Sequence, residues 1–115
     1  MFTYQATLLK VLDGDTVDFR IDLGFNVFTE QRFRLLGINA PELHSKDLAE
    51  KERGKAAMNY LTSLLTPTPL TVVTKKDEQE KYGRYLCRIT NGGGSDVNDE
   101  MVKAGHAKPY DGGKR

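Results

Sequence analysis

Residues 11–24 read Val11-Leu-Asp-Gly-Asp-Thr-Val-Asp-Phe-Arg-Ile-Asp-Leu-Gly24, VLDGDTVDFRIDLG. Two acids flank a glycine, and strict alternation of apolar and polar residues follows. A calcium loop of the EF-hand type needs a further acid or Asn at its fifth position, Gly at its sixth and Glu at its twelfth. Counted from Asp13, those places hold Val17, Asp18 and Gly24, so that construction fails. A strand hairpin fits better. Val17, Phe19, Ile21 and Leu23 share one face and Asp18, Arg20 and Asp22 the other, the period of a half-buried strand. The preceding Ala6-Thr-Leu-Leu-Lys-Val-Leu12 tolerates a strand. Asp13-Gly14 between the two runs is a hairpin signal, in which Gly accepts the positive φ of a tight turn. Asp15, just beyond the turn, is not required by it.

Outward from this hairpin, the chain continues as strand. After a turn at residues 24–26, Val27-Phe-Thr-Glu-Gln-Arg-Phe-Arg-Leu-Leu-Gly-Ile38 forms a third strand, and Pro41 ends the block because proline cannot donate to a ladder. Residues 39–45 read as a loop. Ala57, Tyr60, Leu61, Leu64 and Leu65 then recur at helical spacing, with Ser45 or Asp47 as cap and Pro67 and Pro69 as stops. Residues 70–75 and 84–90 are β-branched or apolar and read as two more strands joined by a charged segment. Residues 91–95 form a glycine-rich turn, after which Ser95 or Asp96 caps a short helix closed by Gly105. No helical pattern follows it. Three strands, a helix, two strands and a second helix predict an α+β fold: a five-stranded OB-fold barrel with the first helix between strands three and four.

The totals agree with such a domain. A chain of 115 residues is expected to form one domain over residues 1–115. With 29% charged and 38% hydrophobic residues it reads as globular rather than disordered. No apolar run is long enough to span a membrane, and residues 1–10 lack the pattern of a signal peptide. This predicts a cytoplasmic location for the chain as written and leaves secretion open for a processed chain. A monomer is expected. The lone Cys87 excludes an internal disulfide and reads as a buried thiol. A net charge of +1 means that any polyanion must be held by locally placed cations. His44 and His106 lack the spacing of a ligand cluster and read as ordinary surface residues.

Several polar residues stand out against this map. Arg34 interrupts the apolar run Phe33–Leu36, and a charge there needs a carboxylate partner or a polar cleft. Taken singly, Arg34 reads equally well as a rim salt bridge, whereas Glu42 reads better as a solvated loop acid and Lys81–Arg84 as a basic turn. Together they form a set: Asp13-Gly-Asp-Thr16, Phe33-Arg-Leu-Leu-Gly-Ile-Asn-Ala-Pro-Glu42, Lys81-Tyr-Gly-Arg84, and Val97-Asn98 with Ala104-Gly-His-Ala-Lys108.

In order and approximate spacing these motifs resemble the staphylococcal-nuclease-like (thermonuclease) family over essentially the whole chain. The resemblance implies an OB-fold barrel and Ca2+-dependent hydrolysis of DNA and RNA to 3′-phosphates. It implies Asp15 as a metal carboxylate and Ala40 as a carbonyl ligand. Arg34 and Arg84 take the place of the phosphate-binding arginines and Glu42 that of the general base. Lys81 and Tyr82 stand where substrate phosphate is contacted, and Tyr110 where an aromatic lines the nucleotide pocket. Chemically the set is coherent, since two guanidiniums and a hard cation stabilise charge on phosphoryl oxygens while a carboxylate takes a proton from water. The chain departs from the pattern at Asn39, where the family has Asp as a second metal carboxylate. Asn keeps an oxygen but not the charge, and Asp13 is near enough in sequence to help through water. That departure supports a second expectation, a non-catalytic nuclease-like domain that binds nucleic acid or a protein. The intact Arg34, Glu42 and Arg84 favour the enzyme. The expected substrate is single-stranded or locally melted DNA, and RNA.

Overall fold

In a computed structural model the protein is described over residues 2–79 and 83–110. Its elements are β1 (Phe2–Asp13), β2 (Thr16–Asp22), β3 (Phe28–Leu35), β4 (Ile38–Asn39), α1 (Leu48–Leu64), β5 (Leu70–Gln79), β6 (Tyr85–Thr90), α2 (Val97–Lys103) and β7 (Lys108–Pro109). The five long strands close a barrel in the order β1-β2-β3-β6-β5, antiparallel except for the β3–β6 seam. With α1 inserted between the third and fourth barrel strands, this is the expected OB-like α+β architecture.

The alternation of β2 is what closes the core. Val17, Phe19 and Ile21 point inward with Phe33 and Leu35 of β3, Leu70 and Val72 of β5, and Cys87 and Ile89 of β6. Cys87 is fully buried, and burial pushes its thiol pKa upward. Helix α1 covers one end of the barrel with Ala57 and Leu61, joined by Leu65 at its C-cap. The Asp47 side chain caps the helix by accepting from the Ala49 N–H at 3.0 Å, and Ser45 Oγ in turn accepts from the Asp47 N–H at 3.1 Å. Both candidate caps are therefore used, in series.

Three local readings change in the folded chain. Asp13 pairs with Thr16, so the turn residues are Gly14 and Asp15 rather than Asp13 and Gly14. Gly14 is not at positive φ; its need is steric, because a Cβ there would lie 2.7 Å from both Ala40 Cβ and Ala57 Cβ. The third strand does not run to Ile38. It breaks at Leu36–Gly37, with Gly37 at φ 83°, and Ile38–Asn39 instead pairs with β7 as a two-stranded ribbon. Finally, α2 is followed by β7, a strand invisible as a pattern because it is two residues long and contains a proline.

Buried Asn98 on α2 fastens these pieces together. Its Oδ1 accepts from the Ile89 N–H at 3.1 Å, and its Nδ2 donates to the carbonyls of Leu36 at 2.8 Å and Cys87 at 3.1 Å. One side chain thus ties α2 to β6 and to the turn that separates β3 from β4.

Candidate active site

The β1–β2 turn and the end of β3 meet because Thr16 pairs with Arg34, and the Leu35 N–H donates to the Asp15 carbonyl at 2.8 Å. Strand alternation sends Phe33 and Leu35 into the core and Arg34 to the opposite face. That face is not open to solvent here. The β4–β7 ribbon folds back across it, held by the Tyr110 N–H donating to the Gly37 carbonyl at 2.8 Å. Arg34 is left only 3% exposed, its guanidinium carbon 5.1 Å from the centre of the Tyr110 ring.

Arg34 is held in place by backbone acceptors. Its Nη2 donates to the Ile38 carbonyl at 2.9 Å and its Nη1 to the Leu35 carbonyl at 3.4 Å. The Asp15 carboxylate is 3.8 Å from Nη2, close enough to balance charge but too long for a hydrogen bond. Nε, although buried, has no hydrogen-bond partner among the described residues. A buried guanidinium N–H left without an acceptor costs about 1–3 kcal/mol or more.

Asp15 is similarly anchored. Oδ2 accepts from the Ala40 N–H at 3.0 Å, and Oδ1 from the Thr16 hydroxyl at 3.1 Å. Thr16 Oγ1 also receives Arg84 Nη1 at 3.5 Å, so the hydroxyl links Asp15 to the second arginine. Asp13 lies beside Asp15 and accepts the Asp15 N–H on Oδ1 at 3.0 Å. Burial first, then hydrogen bonding and repulsion from the Asp15 carboxylate, push the Asp13 carboxyl up to about 6. Two crowded carboxylates are a hard-oxygen donor set whose repulsion a divalent cation relieves, and the Ala40 backbone adjoins them. Among the described residues there is no group of three or more His, Cys, Asp or Glu side chains placed to hold a metal ion. Beside the two carboxylates, the contact that the structure gives Ala40 is its N–H donating to Asp15 Oδ2, and Asn39 precedes it in β4.

Glu42 is exposed on the loop before α1 and lines a cleft of about 480 Å³ together with Asn39, Ala40, Glu50, Arg53 and Lys108. His106 also faces this cleft, its ring tilted against Tyr60 with centroids 4.8 Å apart. The fold thus gathers Asp15, Arg34, Arg84 and Tyr110 around the turn, with Asn39 and Ala40 connecting them to Glu42. Lys81 and Tyr82 lie outside the described residues. Thr16, Gly54 and Asn98 had not been singled out for a role. Thr16 and Asn98 stand inside the quoted motifs, and the sequence signal for Gly54 is an isolated glycine inside a helical stripe, which does not say what the glycine meets.

A profile of the family described as "Staphylococcal nuclease homologue" matches residues 32–114. The chain is 32% identical over 113 residues to "Endonuclease YhcR" of Bacillus subtilis, covering 93% of this chain and 9% of that protein. It is 30% identical to "Thermonuclease" of Staphylococcus intermedius, covering 86% of this chain and 52% of that protein. An "Uncharacterized endonuclease" of Escherichia coli O157:H7 is 30% identical, with 93% of this chain and 61% of that protein covered. The chain therefore spans less than two thirds of the length of each of these relatives.

Proposed function

Because the chain belongs to the staphylococcal nuclease homologue family, we propose that it hydrolyses phosphodiester bonds of nucleic acid. One observation carries the reading: Arg34, 3% exposed, keeps a buried Nε–H without a partner among the described residues, beside the Asp15 carboxylate. A phosphate oxygen supplies the missing acceptor. A guanidinium binds phosphate through a planar fork and strengthens its hold as charge builds on the equatorial oxygens.

Each side chain then has a task. Arg34 orients the phosphate, and the Tyr110 ring over its guanidinium walls the pocket. Arg84, steadied at Thr16, stabilises charge on the phosphoryl group and the departing oxygen. Glu42 takes a proton from the water whose oxygen bonds to phosphorus as the bond to the leaving 5′-oxygen breaks, leaving a 3′-phosphate. Lys81 and Tyr82 contact substrate phosphate.

The metal in this reading is Ca2+, which Asp15, the Ala40 carbonyl and Asn39 would hold, with Asp13 helping through water to supply the charge that Asn39 lacks. Bound there, it would stabilise negative charge on the phosphoryl oxygens. The substrate is single-stranded or locally melted DNA, and RNA, since aromatic stacking needs unpaired bases.

Digestion of single-stranded DNA with Ca2+, with Mg2+ and with EDTA tests the proposal. Cleavage in Ca2+ that disappears in EDTA and leaves 3′-phosphate ends is expected. Hydrolysis undiminished by EDTA removes the metal from the reading. Retained DNA binding with no hydrolysis under any metal replaces the enzyme by the non-catalytic domain, the reading that Asn39 favours.

A further inference from the structure

Gly54 sits within the 17-residue helix α1, where glycine is about 1 kcal/mol less favourable than alanine. The residue is buried, and its φ is not positive, so neither solvent exposure nor backbone conformation explains it. What surrounds it does. A Cβ at this position would lie 2.9 Å from the Glu42 carbonyl oxygen, 2.9 Å from Leu43 Cα and 3.0 Å from the Glu42 carbonyl carbon. Non-bonded carbons rest at about 3.5–4.0 Å, so these contacts are too close to bear. All three atoms are backbone and cannot rotate away.

The segment that would have to move is tied on both sides. Before it, the Ala40 N–H is fixed to Asp15 Oδ2 at 3.0 Å. After it, Ser45 and Asp47 form the cap of α1. Between these anchors, residues 42–43 lie directly on the helix at Gly54. One turn further along, Ala57 meets Gly14 of the turn that carries Asp15, and a Cβ on Gly14 would come within 2.7 Å of it. Helix α1 therefore seats both the Asp15 turn and the Glu42 loop, each through the absence of a side chain.

We infer that Gly54 is a positioning residue for Glu42: the bare backbone at this point of α1 sets where the carboxylate enters the cleft. The inference rests on the reading of Glu42 as general base for its kinetic consequence, but not for its structural one. An added methyl pushes the 42–43 backbone off the helix by about 0.5–1 Å, the gap between the contacts above and ordinary packing. A displacement of that size at a reacting group costs on the order of 10–10²-fold in rate.

The test is a cycle of Gly54→Ala, Glu42→Gln and the double variant, read by kcat, KM and backbone amide spectra. Gly54→Ala should lower kcat about 10–10²-fold with little change in KM, and should add nothing in the Glu42→Gln background. Losses that simply multiply in the double variant overturn the inference. The amide resonances of Glu42 and Leu43 should shift in Gly54→Ala while those of β2, β3 and β6 stay put. Unmoved Glu42 and Leu43 amides overturn it whatever the activity, and so does a variant that no longer folds, which assigns Gly54 to stability alone. If Glu42→Gln leaves turnover intact, the base assignment falls, and the amide shifts alone decide whether Gly54 positions the segment.

Discussion

The Asp15 carboxylate lies 3.8 Å from the Arg34 guanidinium, and the two side chains are 8% and 4% exposed. Both ends are satisfied mainly by other groups: Asp15 by the Ala40 N–H and the Thr16 hydroxyl, Arg34 by the carbonyls of Ile38 and Leu35. They balance each other's charge without saturating each other's hydrogen bonds.

Replacing Arg34 by alanine removes the buried cation and one preorganised donor set. The nuclease rate should fall by about 10²–10³-fold. Arg34→Lys should not restore it, because an ammonium keeps the charge but not the planar fork that bonds Ile38 and Leu35 while presenting Nε. Recovery of more than half the rate with lysine would mean that charge alone matters.

Asn39 offers an oxygen without a charge at the place of a family carboxylate. Asn39→Asp should tighten Ca2+ binding by about tenfold to a hundredfold, or about 1–3 kcal/mol after screening. Ca2+ titration of both variants by calorimetry, with and without a nucleotide, reads this directly. An unchanged affinity would show that Asp13 already supplies the charge or that residue 39 stands outside the metal's ligands.

Burial first, and then hydrogen bonding and charge repulsion from Asp15, push the Asp13 carboxyl from the ordinary 3.8 up to about 6. A raised carboxyl pKa means that the folded state holds its proton longer than the unfolded one. The penalty is absent below the unfolded value, grows as pH rises between the two values, and is complete above the folded one. Asp13→Asn, which keeps an oxygen to accept the Asp15 N–H, should therefore stabilise the metal-free protein by about 1–2 kcal/mol at pH 7. The gain should vanish near pH 3. Urea melts in EDTA at the two pH values check it, and a gain at low pH only would reverse the assignment.

Asn98 serves three backbone partners from a fully buried position. Asn98→Leu leaves those groups without their partner and should cost at least about 3 kcal/mol, read as a lower urea midpoint with unchanged slope. A loss under about 1 kcal/mol would show that water replaces the side chain there.

Strand preference follows from stacking in a walled pocket. Single-stranded DNA should be cut faster than a stable duplex, and binding should weaken as salt rises because phosphate contacts dominate. A GC-rich hairpin offers both substrates in one molecule. Equal cleavage of stem and loop would count against the preference.

The barrel was legible in the chain because inward and outward residues alternate along β2 and helical spacing returns in α1; period is a local property of sequence. The caps at Asp47 and Asp96 were legible for the same reason, each reaching a backbone N–H within three residues. The motifs also named the residues that the fold gathers at the β1–β2 turn. What no local pattern contained was the covering of Arg34. That depends on β4 and β7, each two residues long, pairing Ile38 with Pro109 and Asn39 with Lys108 across most of the chain. The constraint on Gly14 is not φ but the lack of room for a Cβ between Ala40 and Ala57, residues distant in the chain. Gly54 escaped for the same reason. Periodicity decides which way a side chain faces, but only tertiary packing decides what meets it, since close approach between loops and helix is set by the assembled core.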